Sequence, residues 1–72
     1  MKTFYTWLLA QDHRKDPVGD IARDIKRDED LPEKKTKHSL LNYLLYTTNA
    51  SFDAIKAFNQ AWEEYKTFRE SL

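Results

Sequence analysis

The 72 residues include no cysteine, one glycine and two prolines. Without cysteine there is no disulfide framework and no cysteine-based zinc site, the devices that hold many small domains together. Packing must then supply the stability, in a chain near the lower size limit for independent folding. The scarcity of glycine and proline makes the few helix breaks easy to place. Long apolar runs are also missing. The longest, Trp7–Ala10 and Tyr43–Tyr46, are four residues each, against the roughly 20 of a membrane span and the roughly 7–15 of a signal-peptide apolar region. The expectation is a soluble, cytoplasmic protein with no membrane contact. Neither sign of charge is in excess, with 12 basic and 12 acidic residues. Residues 1–19 carry +1, 20–37 carry zero and 38–72 carry −1. No region has the positive excess of a dedicated nucleic-acid binder.

Aromatic bulk is what the chain does have. Phe52, Ile55, Phe58, Trp62 and Tyr65 recur at three- and four-residue steps, which places large apolar groups along one side of a helix. Ser51 is a suitable cap for that helix, which should run from Phe52 to about Glu70. Near the N-terminus, Thr3 can cap a helix reaching about His13, with Phe4, Tyr5, Leu8 and Leu9 inward and Trp7 off the main stripe. Asp16-Pro17 is a helix start: Asp accepts from free amides, and Pro at the first position loses no hydrogen bond. Val18, Ile21, Ala22 and Ile25 then form the apolar face of a second helix, which should end between Asp28 and Leu31, ahead of Pro32. Residues 32–37 read as a charged loop. A third helix is expected over about His38 to Thr47, burying Leu41, Leu44 and Leu45 with help from Leu40 or Tyr43. Nothing alternates with period two, so no strand is expected. The fold class is all-α: one domain, residues 1–72, of four packed helices.

The segments Phe4-Tyr5-Thr6-Trp7-Leu8-Leu9, Leu31-Pro32, Tyr43-Leu44 and Phe58-Asn59-Gln60-Ala61-Trp62-Glu63-Glu64-Tyr65 together resemble the YozE family, small uncharacterised proteins of Gram-positive bacteria. The resemblance covers nearly the whole chain, and its Phe-x-x-Ala-Trp-x-x-Tyr segment is the most specific part. It implies a compact helical fold similar to the sterile alpha motif, and no activity. Family members typically have Phe where this chain has Leu31, and Asp where it has Asn59. The second difference removes a carboxylate, so no role as base or metal ligand carries over to position 59.

Candidate chemistry is sparse. Asp12-His13 is the most enzyme-like pair, but adjacent residues on a helix point about 100° apart. Ser39, Ser51 and Ser71 fit caps or the chain end. His13 and His38 are isolated, and Asp28-Glu29-Asp30 lacks the spacing and central glycine of a calcium loop. No cofactor, metal or catalytic residue is therefore assigned, and the protein is read as a non-enzyme. The sign-alternating second helix reads as a solvated, salt-bridged face. Two binding readings remain. Trp7, Tyr46 and Phe68 lie off the main stripes and are candidate contacts for another protein or a second copy of the chain. Lys34, Lys35 and Lys37 precede the third helix, as Arg14 and Lys15 precede the second. If the two loops meet, they form an anion site for a nucleic-acid backbone. The protein partner is preferred, because net charge is zero. On this reading Trp62→Ala removes a core anchor, whereas Trp7→Ala should leave the melting temperature nearly unchanged.

Overall fold

The computed structural model describes residues 3–71. The described residues form four helices: α1 (Phe4–Leu9, continued by a 3-10 turn, Ala10–His13), α2 (Pro17–Arg27), α3 (Lys37–Asn42, continued by a π-turn, Tyr43–Thr47) and α4 (Phe52–Glu70). There is no strand among the described residues. Each α-helix starts on a side-chain cap. Thr3, Asp16, Thr36 and Ser51 accept from the backbone N–H three residues on, at 3.0–3.2 Å. Three of these caps were readable in advance. Thr36 moves the start of α3 to Lys37, one residue before the expected His38.

α4 forms the spine. Its 19 residues extend about 28 Å at 1.5 Å per residue, most of the 34 Å long axis of the molecule. α1 and α2 pack along it and α3 closes one end. The core joins Phe4, Trp7 and Leu8 of α1, the Val18, Ile21, Ala22 and Ile25 face of α2, Leu40, Tyr43 and Leu44 of α3, and Ala57, Phe58, Ala61 and Tyr65 of α4. No polar or charged residue is buried among the described residues.

The structure departs from the sequence reading at several core positions, and Leu41, expected inside, is only half-buried. Trp7 is 7% exposed. Its ring lies 6.5 Å from Phe4, 5.9 Å from Tyr65 and 6.5 Å from Phe68, because α4 runs far enough to cover the flank of α1 that carries it. Phe52, placed at the head of the α4 stripe, is 75% exposed. At about 100° per residue, three-residue steps drift round the helix. The buried face is centred on Ala57, Phe58, Ala61 and Tyr65, and Phe52 falls roughly 160° from that centre. Trp62 is only half-buried, edge-on to Phe4 at 5.1 Å. Leu45 is exposed, while Leu40 and Tyr43, expected only to assist, are in the core.

Candidate functional site

The π-turn explains Leu45 and builds the most unusual piece of surface. Thr48 N–H donates to Tyr43 O at 3.1 Å instead of to Leu44 O, a five-residue step that swings the following side chains outward. The Leu44 carbonyl released by this shift accepts from Ala50 N–H at 2.8 Å and from the Thr48 hydroxyl at 3.0 Å. Asn49 follows with φ 52°, a left-handed turn that Asn tolerates better than most residues. Ser51 then caps α4. Tyr46, 81% exposed, precedes this corner and Phe52 follows it. The Lys56 ammonium sits 5.4 Å from the centre of the Phe52 ring. Of the three expected aromatic contacts, only Tyr46 is fully at the surface. Trp7 is buried and Phe68 is half-buried against it. Sequence reasoning missed Phe52 because it continues the bulky stripe, and the signal that places it outside is the alanine series Ala54, Ala57, Ala61.

The basic residues separate into two groups. Arg14 is not available to an anion. It donates to Asp16 at 2.7 and 3.0 Å and to Glu64 at 2.7 and 3.3 Å, and is held more firmly protonated by these carboxylates. Lys35 donates to the Pro32 and Glu33 carbonyls and lies 5.8 Å from the Tyr5 ring centre. Lys37 lies 5.7 Å from the Trp62 ring centre. Lys15 and Lys34 are exposed. Arg14 reaches α4 at Glu64 and Lys37 reaches it at Trp62, positions roughly 200° apart around the helix. The two loops therefore flank α4 on different sides.

The clamp at Arg14 also ties the first loop to α2. Arg23 donates to the carbonyls of Asp12 and Arg14, both at 2.8 Å, and Lys26 donates to Asp12 at 2.7 Å. Asp12 therefore faces Lys26, while His13 Nδ1 donates to Ala10 O at 3.0 Å. Donation from Arg14 holds the Glu64 carboxyl below its ordinary 4.5, with Gln60 adding to it. Arg14 and the Gly19 N–H hold Asp16 below its ordinary 3.8, and Lys26 does the same for Asp12. Groups whose folded pKa is lowered contribute stability that is complete above the unfolded value and lost as pH falls through the folded one. Unfolding free energy from urea titrations should therefore be nearly flat from about pH 7 to 5 and fall below about pH 4. Glu64→Gln should shallow that acid limb; an unchanged limb would remove the clamp as its cause.

A groove runs between α2 and the first half of α4. One part, of about 600 Å³, has Ile21, Ala54 and Ala57 at its base, with Asp20 and Asp24 on the α2 side and Asp53, Lys56 and Gln60 on the α4 side. Across Asp24 and Ser51 it meets a second hollow of about 340 Å³ that ends against Ile25, Leu44 and Ala50. No group of three or more metal-ligating side chains is assembled among the described residues. No helix among them is long and apolar enough to cross a membrane.

These features define a small all-helical domain with an aromatic corner and a charged groove, and with no polar or charged residue buried among its described residues. The chain belongs to the YozE family: the family model described as YozE SAM-like fold matches residues 3–67. It is 34% identical over 67 residues to a UPF0346 protein of Streptococcus mutans, covering 89% of this chain and 93% of that one. It is 28% identical over 69 residues to a UPF0346 protein of Bacillus velezensis, covering 93% of each. No solved structure matches the chain.

Proposed function

We propose that this protein is a non-enzymatic interaction module that binds another protein through the corner between α3 and α4. The observation that supports this reading is the exposure of two aromatic side chains, Tyr46 and Phe52, in a domain with only 72 residues and a small core. Each aromatic buries about 150–250 Å² when covered, and aromatic residues dominate binding energy at interfaces. Leu45 adds apolar area at 38% exposure. The π-turn adds a second line of support: such turns give up regular helical hydrogen bonding and are frequent at functional sites.

Tyr46→Ser combined with Phe52→Ser should change stability by less than about 0.5 kcal/mol, as expected for exposed positions. It should abolish capture of the cellular protein retained by the wild type in matched crosslinking pull-downs. Retention of that protein by the double variant would remove the corner as the binding surface. A titration with labelled DNA and RNA at about 50 and 200 mM salt covers the nucleic-acid alternative. Binding below about 10 μM that weakens steeply with salt would replace a protein partner with phosphate contacts at the Lys34, Lys35 and Lys37 loop.

A further inference from the structure

The groove between α2 and α4 has a charge pattern of its own. Asp20 and Asp24 stand four residues apart on α2, Asp28 follows in extended conformation at its C-cap, and Asp53 in the first turn of α4 lines the same hollow as Asp20 and Asp24. Lys56 is the one cation among the described residues that line the groove. Arg23, although paired with Asp20, also has its guanidinium tied to the carbonyls of Asp12 and Arg14. Arg27 pairs with Asp24 at 2.8 Å, with both side chains well exposed. Exposed pairs of this kind are weak and exchange readily for a better partner. Asp28 is committed to the Tyr43 hydroxyl and the Asp30 N–H. Asp20, Asp24 and Asp53 are the carboxylates open to exchange.

Four residues of helix rise about 6 Å, so Asp20 and Asp24 form a row whose step equals that between cations four apart on another helix. The base between them and α4 is apolar, and Ala54 and Ala57 keep it shallow, which lets a helix backbone come close. α2 gives the groove a length of about 16 Å, three turns of an incoming helix. An extended segment would leave its backbone groups without partners against helical walls, whereas a helix satisfies its own.

We propose that this groove docks a cationic amphipathic helix of a partner protein, one with Lys or Arg at four-residue intervals beside an apolar stripe. The proposal rests on reading the protein as a protein-binding module, but it uses different residues from the Tyr46–Phe52 corner.

The test uses a fluorescently labelled peptide of about 18 residues, long enough to form helix in isolation, built of Ala, Leu and Lys with lysines at i, i+4 and i+8 flanking a leucine stripe. Two control peptides replace the lysines with Glu or the leucines with Ser. Titrated with the whole protein, the first peptide should bind at micromolar concentrations and lose at least about tenfold in affinity between about 50 and 200 mM salt. Both controls should bind at least about tenfold more weakly, a difference of about 1.4 kcal/mol. Changing Asp20, Asp24 and Asp53 together to Asn should weaken binding at least about tenfold, with circular dichroism and the melting transition retained. The Tyr46→Ser, Phe52→Ser variant should bind the peptide as the wild type does, so failure of the corner and failure of the groove are separable. Equal affinity for the lysine and glutamate peptides would overturn the proposal. So would full binding by the triple Asn variant, or no binding at the lower salt. Self-association of the peptide-free protein that the triple Asn variant loses would assign the groove to a second copy instead.

Discussion

Trp7→Ala should lower the unfolding free energy by about 3–5 kcal/mol, the range for truncating a large buried aromatic. A chain of this length has a total stability of only about 4–10 kcal/mol, so the variant should be largely unfolded near 37 °C. The physical basis is the ring stack in which Trp7 sits between Phe4 on its own helix and Tyr65 and Phe68 on α4. Removing the indole leaves a cavity bordered by other rings, which are too rigid to fill it. Urea titration followed by circular dichroism measures the loss directly. A cost below about 2 kcal/mol would mean that Phe68 and the end of α4 do not hold the indole in place.

Gly19→Ala should cost about 3 kcal/mol or more. In an ordinary helix the same change is favourable by about 1 kcal/mol, so even the sign is diagnostic. A Cβ at this position would lie 2.0 Å from the Arg14 carbonyl oxygen and 2.7 Å from its carbonyl carbon. These are backbone atoms and cannot rotate aside. The same carbonyl accepts from Arg23 at 2.8 Å, and Arg14 carries the contact to Glu64. Relief of the clash therefore displaces the loop that joins α1, α2 and α4. A melting temperature at or above that of the wild type would show that this loop can move away at little cost. The glycine is needed for this close approach; its φ is not positive.

The two variants differ in what a reader of the sequence could anticipate. The Asp16-Pro17 start is plain in the sequence, and so is the Val18, Ile21, Ala22, Ile25 face of α2. Capping and 3.6-residue periodicity act over a single turn, and the residues that satisfy them are neighbours in the chain. Ser51 and Thr3 were readable for the same reason. Trp7 was not, because its cover comes from α4, some 60 residues later in the chain. The need for Gly19 is not legible in the sequence, because its constraint is a peptide five residues back that only the turn at Asp16 brings close.

The candidate surfaces follow the same division. Tyr46 stood out as an aromatic off the stripe and is exposed. Phe52 was hidden by periodicity: bulky residues at three- and four-residue steps trace one edge of the buried face of α4, and small alanines occupy the rest where α2 packs close. The aspartates of the groove were visible only as sign alternation on α2. Their relation to Asp53 exists only once α2 lies along α4. Arg14 read as a free cation beside Lys15 until Glu64 came within 2.7 Å of it.

Residues close in the chain thus settled the all-helical class, the helix starts, the apolar face of α2 and the family. Packing between helices settled which side of α4 is inside, which aromatics reach solvent, and which charges meet. The reason is one of range. Caps and helical periodicity are decided within about one turn by backbone hydrogen bonding, whereas burial depends on which surfaces of distant helices exclude water from one another.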